Sequence, residues 1–176
     1  MGYRGGACLV TVDGTDFSIY EPKPWNRKWF SVKHNGAGLR YEVAICIQTG
    51  WIVWTNGPFP CGACHDITIF RSGLKPLLLL WEQVEADEGY RGDLKVRNKE
   101  EAGVTVRQYV AKGRARARHE TVNGLFKVFG ILLGRLRHDI SKHSVIFRAV
   151  SSITQIKIMH EQPSFQVHYP AEGNFY

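Results

Sequence analysis

Three carboxylates stand where chemistry is possible. Asp87 follows the short apolar stretch Val84-Glu85-Ala86, and Gly89 and Gly92 then break the chain around Tyr90. Asp13 ends the run Ala7 to Val12 in the same way, with Gly14 directly after it. Glu120 lies in a segment of helical period, where Arg116, Glu120 and Lys127 recur at steps that share one face. Oxygen-only ligands suit Mg²⁺ or Mn²⁺, hard cations that keep some water and bind substrate phosphates. Without a cation, three clustered carboxylates repel one another and at least one pKa must rise. A pair of divalent ions removes that penalty and supports in-line displacement at a phosphate. For Asp87 taken alone, the alternative is a strand-terminal Asp capping its own turn.

The elements that would position these groups follow from pattern. Ala7 to Val12 reads as a strand buried on both faces, with Asp13 at its C-terminal end and Asp16 as a local cap in a turn. Tyr41 to Gln48 and Trp51 to Thr55, joined by Thr49-Gly50, read as a β-hairpin that Asn56-Gly57-Pro58 ends. The first three strands then form an antiparallel meander. Pro76 opens a short helix through Leu77 to Glu82, and residues 93–103 form a charged surface connection. Val104 to Val110 fits a strand or the lead-in to a helix equally well. From Arg114 to Gly134 the period is helical, with Val122, Leu125, Phe126, Phe129 and Leu133 as the apolar stripe. Gly124 and Gly130 weaken that helix, so tertiary packing must hold it. A last helix covers Val145 to Met159, its apolar face being Val145, Ala149, Ile153, Ile156 and Met159. The tail beyond Pro163 reads as irregular.

Composition sets the bounds. A chain of 176 residues, 44% hydrophobic and 22% charged, is expected to form one domain with core enough to fold alone. The longest apolar run, Leu77 to Trp81, is far short of a membrane span, and the N-terminus lacks the apolar core of a signal peptide. Four cysteines without such a signal point to free thiols inside the cell. The net charge of +7 suggests an anionic partner, and nucleic acid is the commonest large one. Glu21 to Arg40 interleaves Lys23, Arg27, Lys28, Lys33, His34 and Arg40 with Trp25, Trp29 and Phe30, a mixture suited to phosphate contact and base stacking. A solvated loop with inward-packed aromatics remains the alternative.

Cys61-Gly-Ala-Cys64-His65 has the spacing of a c-type haem attachment motif, and its cysteines could form half a zinc site. Haem attachment needs an export route the sequence lacks, and zinc needs two more ligands. A loop with free thiols is favoured. Asp66 is placed as a structural N-cap of a short helix that Gly73 ends.

Taken together, these motifs resemble the catalytic domain of DDE superfamily transposases, in the Harbinger-type and insertion-sequence-like group, from Val12 to about Phe165. Val12-Asp13-Gly14-Thr15 is similar to the first motif and Asp87-Glu88-Gly89-Tyr90 to the second, D-x-G-Y. Gly62, His65, Asp66 and Phe70 resemble the signature between them, and Arg116, Glu120 and Lys127 match R-x3-E-x6-K. Gly113 departs from the pattern, since the family often carries a Tyr there; Tyr109 lies four residues earlier. The resemblance implies an α/β, RNase H-like fold with a mixed sheet of about five strands flanked by helices. It implies that Asp13, Asp87 and Glu120 bind two Mg²⁺ or Mn²⁺ ions, with Asp13 bridging both. It implies metal-dependent phosphodiester hydrolysis or strand transfer on DNA, an oligomer being compatible with that chemistry. Lys33, Arg116 and Lys127 are the candidate DNA-phosphate contacts.

Asp13 lies close to Met1, so the helical region that reads transposon ends is expected to be missing. The chain is then a fragment, a domesticated derivative, or half of a system with a separate DNA-binding partner protein. The expected location is intracellular, and nuclear in a eukaryote, where Lys112, Arg114, Arg116 and Arg118 also suit a localisation signal. The alternative is a non-catalytic DNA- or protein-binding remnant that keeps the fold and the basic surface.

Overall fold

The computed structural model describes residues 7–98, 104–161 and 167–168. Among the described residues six strands form one mixed sheet. β1 (Ala7–Ser18) pairs antiparallel with β3 (Gly36–Cys46), which pairs antiparallel with β4 (Ile52–Pro60) and with the two-residue β2 (Phe30–Ser31). On its other side β1 pairs in parallel with β5 (Glu82–Glu85), and β6 (Val96–Arg97) extends that parallel edge. The antiparallel meander and the mixed sheet are therefore present, in an RNase H-like arrangement with helices on both faces. Among the described residues no helix is long and apolar enough to cross a membrane.

Alternation along the strands sorts the two faces. Phe17, Leu39, Tyr41, Val43 and Ile45 face α2 (Val106–Val128), the one-turn α3 (Gly130–Leu133) and α4 (His143–Glu161). Val12, Ala44 and Val84 face the other way, onto Phe70 of α1 (Asp66–Ser72) and Tyr90. The helical option for residues 104–110 holds. Thr105 caps α2 in a capping box with Gln108, accepting from its N–H at 3.3 Å.

Several expectations give way to packing. β1 does not stop at Asp13 but runs on to Ser18, because β3 pairs with it as far as Ser18↔Gly38. Asp16 is accordingly no turn cap: it is buried in β1 and clasped by Arg40, whose Nε and Nη2 donate to it at 2.8 and 3.1 Å. β4 continues through Asn56-Gly57-Pro58 to Pro60. The helix expected from Pro76 to Glu82 shrinks to one 3₁₀ turn at Lys75–Leu77, because Glu82 already pairs with β1 as a strand. Residues 93–103 are more than a connection, since Val96 and Arg97 form β6; residues 99–103 lie outside the described part. The long helix breaks at Phe129, whose backbone is extended, and Leu133 is exposed rather than in the apolar stripe.

The last helix forms, but with a different face inward. Phe147, Val150 and Ile158 are buried, while Val145, Ile153, Ile156 and Met159 are exposed. Aromatic packing decides this: the Phe147 ring stacks on Tyr41 at 3.9 Å between centroids and meets Phe126 edge-on at 5.3 Å. The segment beyond Pro163 falls largely outside the described residues.

Candidate active-site cleft

The parallel pairing of β1 with β5 ends at Thr11↔Glu85. Two residues further along each chain stand Asp13 and Asp87, where the two strands part. Both belong to the alternation that faces α2, which lies across this point. α2 presents Arg116, Glu120, Asn123 and Lys127 at spacings of one face, and Lys33 approaches from the segment before β3. The result is one open cleft of about 450 Å³ lined by all six of the sequence-selected residues, Asp13, Asp87, Glu120, Lys33, Arg116 and Lys127.

Each aspartate accepts a backbone N–H from its own segment, Asp13 within β1 and Asp87 at the turn after β5. Asp13 accepts from the Gly14 N–H at 2.8 Å and from Asn123 Nδ2 at 3.1 Å. Asp87 caps the 3₁₀ turn Glu88–Tyr90, accepting from the Gly89 N–H at 2.9 Å, while its carbonyl accepts from Asn98 Nδ2 at 2.8 Å. The capping alternative for Asp87 is thus real, and it leaves the residue on the cleft wall. Behind the cleft, Lys112 Nζ pairs with Glu85 Oε1 at 2.9 Å and donates to the Asn98 carbonyl at 3.1 Å. This chain of contacts ties α2 to the Asp87 turn.

The electrostatics are those of a site short of positive charge at its centre. Burial, then the neighbouring Asp87 and Asp66, push the Asp13 carboxyl up to about 7, with the Gly14 N–H and Lys33 opposing. Burial likewise raises Asp66, opposed by Arg40 and reinforced by Asp87 and Asp16. At the rim the balance reverses: burial and the charge of Lys33 hold the Lys127 ammonium below its ordinary value. Those two cations lie close enough for each to feel the other's charge. His119, fully buried under the cleft and bonded through Nδ1 to Thr11 Oγ1 at 2.8 Å, is driven by burial down to about 3, so it stays neutral.

Sequence reasoning missed part of this lining. Asp66 is not the cap of α1; it is the first helical residue after His65, and its carboxylate turns into the cleft. Oδ1 lies 3.1 Å from Arg40 Nη1, outside hydrogen-bonding geometry, and is buried without a hydrogen-bond partner. The signature residue His65-Asp66 was the available signal. For Asn123 and His119 only their helical phase relative to Glu120 pointed here. The nearby Cys61 and Cys64 are free thiols, Cys61 being pushed up to about 12 by burial and by Asp16.

A divalent cation is a chemical fit to this lining. Among the described residues no three His, Cys, Asp or Glu side chains lie close enough to form a ready ligand set. The acidic side chains that line the cleft, Asp13, Asp66, Glu85, Asp87 and Glu120, offer carboxylate oxygens, the donor class hard cations take. Asp13 is raised by burial and by its acidic neighbours, whereas Asp66 Oδ1, which makes no hydrogen bond, keeps Arg40 Nη1 as its ion-pair partner at 3.1 Å.

No family model matches the chain, and no solved structure gives a significant match. It is 30% identical over 142 residues to a protein of Microchaete diplosiphon described as "Probable transposase for insertion sequence element IS702". The match covers 74% of this chain and 50% of that protein, so the chain spans about half the length of the curated relative. This similarity supports a transposase relationship.

Proposed function

We propose that the chain acts as a metal-dependent DNA nuclease or strand transferase of the DDE type, in the Harbinger-like and insertion-sequence-like group. What supports this most is one observation: Asp13, Asp87 and Glu120, far apart in sequence, line a single cleft with Lys33, Arg116 and Lys127. In this reading Asp13, Asp87 and Glu120 hold one or two Mg²⁺ or Mn²⁺ ions. When bound, these supply Lewis-acid activation of water and neutralise charge on the scissile phosphate.

The remaining work belongs to the chain's own groups. Gly14 N–H and Asn123 Nδ2 fix the Asp13 carboxylate, and Gly89 N–H fixes that of Asp87, so neither must reorganise when substrate arrives. Arg116 offers a planar fork to phosphate oxygens, while Lys33 and Lys127 act as point charges on the same strand. Neutral His119 holds the α2 wall to Thr11 and adds no charge to the site. A separate DNA-binding protein is proposed as a partner in reading the target sequence. The DNA is met inside the cell, in the nucleus where the host has one.

The test is a plasmid-nicking assay with Mg²⁺ or Mn²⁺, alongside Mn²⁺ calorimetry. Asp13→Asn, Asp87→Asn and Glu120→Gln should each lower nicking by more than about a hundredfold, the scale of losing a group from a preorganised transition-state array. Each should also weaken Mn²⁺ binding. Wild-type affinity in all three variants would instead favour the non-catalytic DNA- or protein-binding remnant.

A further inference from the structure

The basic and aromatic segment 21–40 gives only Lys33 to the chemistry above, yet it walls a second cavity that opens beside the cleft. We propose that this cavity takes one unpaired nucleotide of the DNA strand whose scissile phosphate lies in the cleft, an inference that rests on the DNA-directed reading above.

Position is the first support. The cavity and the cleft are both lined by Gly14 and Lys33, so a chain leaving one meets the other without a gap. Lys33 stands between them on the four-residue turn 32–35 that joins β2 to β3. That turn is pinned: the Asn35 N–H donates to the Val32 carbonyl at 3.3 Å, and His34 Nε2 donates to the Asp16 carbonyl at 3.0 Å. A phosphate held by Lys33 in the cleft therefore leaves its neighbouring nucleotide at the mouth of the cavity.

The cavity is also built before any ligand arrives. Its volume is about 620 Å³, inside the range of roughly 300–1,000 Å³ usual for pockets that take small molecules. Two segments distant in sequence form its walls, and they are locked together. The Gly62 N–H donates to the Lys28 carbonyl at 2.8 Å. A Cβ on Gly62 would overlap the Arg27 carbonyl and stand 3.1 Å from that of Phe30, so only glycine lets the strands approach this closely.

Charge sorts the two spaces. The cleft carries five acidic side chains, whereas among the described residues Asp16 is the one carboxylate lining the cavity. Asp16 is already neutralised, accepting from Arg40 Nε and Nη2 and from Ser31 Oγ at 2.8 Å. The Arg27 and Lys33 side chains, both exposed, make no hydrogen bond or ion pair with a described residue. Uncommitted cations of this kind are what a phosphodiester backbone recruits. Between them the lining turns apolar: Phe30 is partly exposed, and Val32 is 85% exposed although it sits in a polar turn. Cations flanking an aromatic and an aliphatic surface suit a nucleotide, whose phosphate and base need both.

The experiment measures binding of the full chain, in chelator, to a fluorescein-labelled single-stranded DNA of about ten nucleotides, a usual single-strand site size. Wild type is compared by fluorescence anisotropy with Arg27→Ala, Val32→Glu and Lys157→Ala, each checked for folding by circular dichroism. Lys157, on α4, lines neither cavity and controls for loss of one charge. Arg27→Ala should lower the slope of log K against log[salt] by about 0.7, one single-strand phosphate contact, with Lys157→Ala unchanged. Val32→Glu should weaken binding at least about tenfold by setting a like charge against the backbone. In parallel, the same DNA carrying 5-iododeoxyuridine is photocrosslinked to wild type, and adducts mapped by mass spectrometry should fall within residues 28–33 or 61–65. If Val32→Glu does not fold, Arg27→Ala and the adduct map decide. Equal slopes for Arg27→Ala and Lys157→Ala, adducts confined to other segments, or no binding by wild type overturn the assignment, whatever the nicking assay gives. The expected adducts and slope from a protein that never nicks plasmid would leave the nucleotide cavity standing and remove the nuclease reading.

Discussion

Asp13 is a carboxylate whose burial works against its own ionisation, and this has a measurable sign. Its ordinary value is 3.8, and in the fold it stands at about 7. The folded chain therefore holds this proton more tightly than the unfolded chain does. The resulting stability is fully present below about pH 4 and is lost as pH rises through about 7. In chelator, thermal melts should show a lower midpoint at pH 8 than at pH 5, and Asp13→Asn should flatten that difference. Glu42, also raised to about 7 by burial, has the same sign and should leave a residual slope. Added Mg²⁺ should raise the wild-type midpoint more at pH 8 than at pH 5. At this scale the sequence was informative where residue type and spacing suffice: Asp13, Asp87 and Glu120 all reach the cleft. Asp66 was misread because an Asp ahead of a short apolar helix has the local form of a cap. Only the approach of Gly14 and Gly89 gives it another place to go.

Among the elements, α2 carries the most cleft residues, and its anchorage is a buried ion pair. Lys112 and Glu85 side chains are 4% and 1% exposed. Removing one partner leaves a charge in the interior, so Glu85→Gln or Lys112→Met should cost about 3–5 kcal/mol in urea unfolding. A double replacement by apolar residues should recover most of that loss. The same helix shows why patterns find elements more readily than their faces. Period alone located α2 and α4, since both are long and repetitive. It mis-set the inward face of α4, because Val145, Ile153 and Ile156 repeat as regularly as Phe147, Val150 and Ile158. The stack of Phe147 on Tyr41 decides between them, and that contact joins residues about a hundred positions apart. Phe147→Ala should accordingly cost about 3–5 kcal/mol by the same measurement, whereas Ile153→Ala should cost far less.

For the whole molecule, with a net charge of +7, the proposed binding to DNA should weaken steeply with salt. Replacing Lys33, Arg116 and Lys127 together by Ala should lower the slope of log K against log[salt] by about 3, roughly 1 for each phosphate contact removed. Equal slopes in wild type and triple variant would remove these three from the DNA-contacting surface. Topology was legible only in part: hairpin signals gave the meander, but a two-residue β6 has too little sequence to announce itself.

β1 is the strand with an antiparallel neighbour on one side and a parallel neighbour on the other. The hairpin side can zip from nearby turns, whereas joining Ala7 to Glu82 requires closing a loop of about 75 residues first. Asp13 and Asp87 meet only after that late closure. In a refolding experiment, capture of the proposed cation should therefore lag the fluorescence change of early collapse and follow the slowest phase, which would make it a clock for the end of folding.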